Sequence, residues 1–135
     1  MEHSKTLILV DDDEIIVYLT KRIIKETNLV GLNNVFRNGR DAINYLRENA
    51  TNIDLIPDII LLDLSMPVMD GWQFLEEYTK IEPKIDKIIT IYIITSSISS
   101  EDINRAKKIN VVSDYIIKPI TRENFIEIIT KVTKD

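Results

Sequence analysis

The sequence predicts an α/β fold: an open, doubly wound parallel sheet of five strands with five helices packed on its faces. Three observations carry that prediction. Short apolar runs alternate five times with helix-like stretches along the 135 residues, the pattern of successive βα units on a parallel sheet. The apolar runs are nearly continuous, as strands buried on both faces read. Right-handed crossovers then limit the topology to a doubly wound sheet.

Residues 6–10 (TLILV) form the first strand, which runs into acids. Residues 14–26 (EIIVYLTKRIIKE) form a helix with an apolar stripe of Ile15, Leu19 and Ile23 at four-residue spacing, flanked by Ile16 and Ile24. Residues 30–36 (VGLNNVF) are diluted by Asn33 and Asn34, which places this strand at an edge. Asn38-Gly39 has the composition of a hairpin turn, but the helix-like GRDAINYLREN at 39–49 makes it a strand-to-helix loop. Residues 58–62 (DIILL) form the third strand, with Asp63 at its tip and the breakers Pro67 and Gly71 beyond. The helix at 72–81 puts Trp72, Leu75 and Tyr78 on one side. Residues 87–95 (KIITIYIIT) are the longest apolar run and rich in β-branched residues, so they form the fourth strand. The helix at 100–110 is polar with a thin stripe, Ile103 and Ala106; Ser99 with Asp102 marks its N-cap, and Asn110 stands at its C-cap, where Asn tolerates the left-handed conformation. Residues 114–119 (DYIIKP) form the fifth strand. The last helix, 122–133, follows an N-cap at Thr121 and carries Phe125, Ile128, Ile129 and Val132 at i, i+3, i+4, i+7 spacing.

The length suits one domain, residues 1–135. Hydrophobic residues at 44% supply one core, and a net charge of -5 argues against a nucleic-acid surface. The absence of cysteine excludes disulfides, thiol catalysis and Cys-based metal sites. The N-terminus lacks the apolar stretch of a signal peptide, and no segment approaches a membrane span, so a cytoplasmic location is expected. The Met start and charged end fit a complete chain.

In an open α/β sheet, ligands bind beyond the carboxyl ends of the strands. Strand 1 ends in Asp11-Asp12-Asp13-Glu14, strand 3 in Asp63, strand 4 in Thr95-Ser96-Ser97 and strand 5 in Lys118-Pro119. In a 2-1-3-4-5 order strands 1 and 3 are neighbours, and Asp11, Asp12 and Asp63 crowd into one cleft. Crowded carboxylates need neutralising. Mg²⁺ takes oxygen ligands, carboxylates and phosphate among them, and Lys118 adds a further positive charge. Three acids contribute -3, and Mg²⁺ with one Lys contributes +3. Such a site could host a phosphoryl group, with a carboxylate as nucleophile and the Thr95 hydroxyl as hydrogen-bond donor.

Plainer roles explain other residues. Asp13 and Glu14 suit the positive end of the following helix. His3, the only histidine, belongs to a frayed terminus without a ligand role. Trp72 opens the third helix and packs in part, and Met66 and Met69 are packing residues of the Asp63 loop.

With ILVDDDE after strand 1, LLDLSMPVMDG around Asp63, IITSS at strand 4 and DYIIKP at strand 5, the chain resembles the receiver domain of two-component response regulators over essentially its whole length. The resemblance implies a flavodoxin-like sheet in the order 2-1-3-4-5. It implies Asp63 as phosphoacceptor, Asp11 and Asp12 as the acid pair for Mg²⁺, and the backbone carbonyl of Ser65 as a further metal ligand. Thr95 matches the switch hydroxyl, Tyr115 the aromatic that turns inward upon activation, and Lys118 the lysine that contacts the phosphoryl group. A cis Lys118–Pro119 bond is also implied. Ser96 departs from the Ala or Gly frequent at its position, and Ser65 and Ser97 occupy the two positions that tune hydrolysis of the phosphoryl group. The partners implied are a sensor histidine kinase or phosphotransfer protein and a downstream protein on the helix 4–strand 5–helix 5 face, with no nucleic acid or membrane. The chain has no room for an output domain after the last helix, so a stand-alone receiver is expected, a phosphoacceptor that assists its own phosphorylation and dephosphorylation and is otherwise not an enzyme.

The alternative is a Mg²⁺-dependent phosphatase of the haloacid-dehalogenase type, since Asp11 and Asp13 mimic its D-x-D by spacing; that reading leaves Asp63 and its loop unexplained. A flavodoxin-type electron carrier needs an anion cradle after strand 1, where this chain has four acids. A receiver fold kept only as a scaffold would need none of the acid–Thr–Lys set.

Overall fold

The computed structural model describes residues 5–133; His3 lies outside them. Five parallel strands form one sheet in the order β2-β1-β3-β4-β5. They are β1 (Thr6–Val10), β2 (Gly31–Phe36), β3 (Ile59–Leu62), β4 (Thr90–Thr95) and β5 (Val112–Ile117). Between and after them run α1 (Glu14–Thr27), α2 (Gly39–Glu48), α3 (Gly71–Ile81), α4 (Ser100–Lys107) and α5 (Arg122–Thr133), with a short 3₁₀ turn at Glu82–Lys84. This is the doubly wound sheet the alternation predicts.

The pleat divides the core. Ile8, Val10, Ile60, Leu62, Ile91 and Ile93 face α2, α3 and α4, where Leu46, Phe74 and Ala106 pack on them. Leu7, Leu9, Ile59, Leu61 and Ile94 face α1 and α5, against Val17, Ile24, Phe125 and Ile128. All four residues of β3 are therefore buried, each contributing about 1.5–3 kcal/mol. β2, half-buried along its length, lies at one edge as its asparagines predict.

Local capping follows sequence. Asp13 caps α1 by accepting from Ile15 and Ile16 N–H. Asn38 caps α2 by accepting from Asp41 N–H (2.9 Å), which makes Asn38-Gly39 a strand-to-helix loop. Asp70 and Gln73 form a capping box on α3. Ser99 and Thr121 cap the last two helices as expected.

Four expectations need correction. On α1 the buried residues are Val17, Thr20 and Ile24, while Ile15 is 69% exposed and Leu19 also faces solvent. Apolar residues cover so much of this helix that spacing alone admits more than one stripe. β4 begins at Thr90, and Ile88 of the apolar run is 90% exposed. β5 begins at Val112, two residues early, because Val112 pairs with Ile91 across a register shift. Asn110 does not cap α4; the C-cap is Lys108 in a right-handed conformation. The asparagine in the left-handed conformation is Asn28, closing α1 at φ 53°. The Lys118–Pro119 bond is cis.

Candidate functional site

Parallel pairing brings the strand tips level. Val10 pairs with Leu62 and Leu62 with Ile93, so Asp11 and Asp63 each emerge one residue past the end of adjacent strands. Their backbones continue the ladder: Asp63 N–H donates to Val10 O and Asp11 N–H to Phe36 O, both at 2.9 Å. Two carboxylates are thereby fixed side by side, Asp11 at 0% and Asp63 at 4% exposure. Asp12 is exposed at the rim. One carboxylate oxygen from each of the three lies within 4.8 Å of the others.

Lys118 enters from β5, its backbone N–H bonded to Thr95 O at 2.7 Å. Its Nζ lies 3.0 Å from Asp11 Oδ2 and 3.3 Å from Asp63 Oδ1. Burial works against the ammonium, but Asp11 and then Asp63 outweigh it and raise its pKa. Asp63 is pushed up to about 6, first by burial and then by Asp11, against the opposing pull of Lys118 and the Ser65 N–H. With three carboxylates and one ammonium, the cleft carries a charge of -2 when ionised, which one divalent cation would balance. Asp11 Oδ2 is buried without a well-aligned hydrogen bond and is met by the Lys118 ammonium, while Asp13 N–H donates to Oδ1 at 2.9 Å. The donors are all oxygens with an exposed carboxylate at the mouth, which fits Mg²⁺.

The remaining sequence-predicted residues stand in the β3–α3 loop, at the end of β4 and on β5. Ser65 stands two residues past Asp63 in the β3–α3 loop. Thr95 is buried at the end of β4, and its Oγ1 accepts from Ser97 N–H at 3.2 Å. Tyr115, half-buried on β5, donates its hydroxyl proton to Ser97 O at 3.0 Å. Ser97 Oγ in turn donates to Asp102 Oδ2 at 2.7 Å, in the first turn of α4. Ser97 is thus the hub joining Thr95, Tyr115 and α4. The sequence marks Ser97 only by position, and Asp102 only as part of a cap. Trp72 opens α3 half-buried, as expected, with the Arg105 guanidinium 4.2 Å above its ring; no local pattern connects those two helices. Met66 and Met69 pack against the core. Asp13 is taken up by its cap, so the D-x-D spacing does not bring Asp13 into the acid cluster.

The chain matches the family model described as response regulator receiver domain over residues 7–130. It is similar to a probable methanogenesis regulatory protein, FilR2, of Methanothrix harundinacea, 30% identical over 118 residues that cover 87% of this chain and 74% of that protein. It is also similar to the chemotaxis protein CheY of Thermotoga maritima, 28% identical over 97% of this chain and 99% of that one. Among solved structures, a two-component response regulator from Cytophaga hutchinsonii superposes with a TM-score of 0.84 at 27% identity, covering 96% of this chain and 97% of that one. The phosphorylated cyanobacterial phytochrome response regulator RcpA superposes with a TM-score of 0.75 at 26% identity, covering 98% and 92%.

Proposed function

The chain belongs to the response regulator receiver family, and on that premise we propose that it accepts a phosphoryl group on Asp63 in a Mg²⁺-dependent reaction and passes the signal on by changing protein contacts. The observation that carries this reading is the cleft itself: buried Asp63 and Asp11, exposed Asp12 within reach, and one lysine bridging the two buried acids.

Asp63 is the nucleophile. Its ionised carboxylate forms the new O–P bond as the bond from phosphorus to a histidine nitrogen of the donor breaks. With a pKa of about 6, it is largely ionised at neutral pH. The carboxylates of Asp11, Asp12 and Asp63 and the backbone carbonyl of Ser65 would hold the ion, which supplies charge neutralisation for the transferred group. Lys118 contributes a second positive charge from β5. Thr95 Oγ1 already accepts from Ser97 N–H, which leaves its own proton for a phosphoryl oxygen. A shift of Thr95 then moves Ser97, and through Ser97 O it reaches Tyr115. This route leads to the α4–β5–α5 face, which we assign to the downstream partner.

The donor is a sensor histidine kinase or phosphotransfer protein. Ile15 and Tyr18, exposed in the first turns of α1 after the acids, provide an apolar rim for it. The phosphorylated relative supports the same chemistry here. We assign residues 1–135 to one cytoplasmic receiver domain, a phosphoacceptor that assists its own phosphorylation and dephosphorylation. The test is mass spectrometry after incubation with acetyl phosphate and Mg²⁺. Wild type gains one phosphoryl group and Asp63→Asn gains none; an equally labelled variant overturns the assignment.

A further inference from the structure

Residues 64–70 leave β3 and return into α3, and their path is fixed by backbone contacts. Gly71 N–H donates to Leu64 O at 2.9 Å, and Met69 N–H donates to Pro67 O at 2.7 Å. The second bond closes a three-residue turn with Val68 at φ 67°. A β-branched residue is strained there, and Val68 is 66% exposed, so its own side-chain packing does not impose the conformation.

A backbone contact reaches this turn from α2. Gly39 N–H donates to Met69 O at 2.8 Å. Gly39 is buried, and its φ is outside the left-handed region. Glycine is therefore required here by close approach and not by backbone freedom. A Cβ at this position would sit 2.8 Å from Met69 O, 3.0 Å from Met69 Cγ and 3.2 Å from Asp70 O. Two of those three atoms are backbone carbonyls, which cannot swing aside. A side chain at 39 must push the loop bodily away from α2.

We propose that Gly39 is a positioning residue for the metal centre: its N–H and its missing side chain set the β3–α3 loop, and with it the Ser65 carbonyl, at the distance a small dication needs. This rests on the Mg²⁺ reading above. Mg²⁺ demands near-ideal octahedral geometry at about 2.0–2.1 Å, whereas Ca²⁺ accepts about 2.3–2.6 Å in flexible arrangements. A loop displaced by a few tenths of an ångström therefore distinguishes the two ions, which general loosening of the fold does not.

The experiment is calorimetric titration of the full chain with MgCl₂ and, separately, CaCl₂, for wild type and Gly39→Ala, with thermal midpoints measured alongside. Gly39→Ala is expected to weaken Mg²⁺ binding ~10-fold or more, the range for residues that orient metal ligands, and to change Ca²⁺ binding much less. Equal Mg²⁺ affinity in both proteins overturns the positioning role, as does a parallel loss for both ions that tracks a fallen midpoint. A wild type without saturable Mg²⁺ binding removes the metal reading itself, and this inference with it. Should Gly39→Ala not fold, hydrogen exchange in wild type decides. Coupling is reciprocal, so Mg²⁺ must slow exchange of the Gly39 amide by the factor that this contact contributes to binding; unchanged exchange overturns the proposal.

Discussion

Each end of the sheet holds a buried aspartate against lysine, with opposite results. At the amino end, Asp58 is 9% exposed. It accepts from Thr6 N–H at 2.9 Å and faces Lys87 Nζ at 3.4 Å and Lys5 Nζ at 3.9 Å. Lys87 also donates to Ile56 O at 2.9 Å. One acid meets two cations, and the group closes the loops beneath β1, β3 and β4. At the carboxyl end, three acids meet one cation. The fold neutralises the acid that ties strands together and leaves the acid cluster at the opposite end in excess of its lysine. Charge balance, more than burial, separates the two aspartates.

Substitutions at the two aspartates break the comparison most directly. Asp63→Asn abolishes acetyl-phosphate labelling, whereas Asp58→Ala leaves it intact; loss of labelling in the Asp58 variant removes the distinction. The stabilities should diverge as well. Asp58→Ala strands the Thr6 N–H and the lysines, at a cost of about 1–3 kcal/mol in urea unfolding.

Asp63→Asn should instead stabilise the metal-free chain. The folded-state pKa of Asp63 is raised from 3.8 to about 6. Its protonated form is therefore favoured by folding, and that contribution is full below about pH 4 and lost as pH rises through 6. At pH 7.5 the variant gains about 1–3 kcal/mol over wild type, and the gain disappears near pH 4. Saturating Mg²⁺ narrows the gap by binding the wild-type cleft. A pH-independent difference would show that burial of Asp63 is not what strains the site.

The smallest effect lies between α3 and α4. Arg105→Ala removes an exposed cation–π contact worth about 0.5–1 kcal/mol. Fluorescence of Trp72, the only tryptophan, reports its unfolding midpoint. A loss several times larger would mean that this pair holds α4 in place.

Much of this was legible before the structure. The third strand reads from four consecutive apolar residues, the edge strand from Asn33 and Asn34, and the last helix from the spacing of Phe125, Ile128, Ile129 and Val132. Asp11, Asp63 and Lys118 read from what stands one step past an apolar run, and Thr95 from the end of its own. These signals are local: run length, periodicity and capping chemistry depend on neighbours a few positions away. Which face of α1 is buried, how Asp58 finds Lys87, and why residue 39 must be glycine were decided by tertiary structure. Each depends on how elements distant in sequence cross and align. Gly39 and Met69 are thirty positions apart, and only the packing of α2 beside the β3–α3 loop brings an N–H to a carbonyl with no room for a side chain between them.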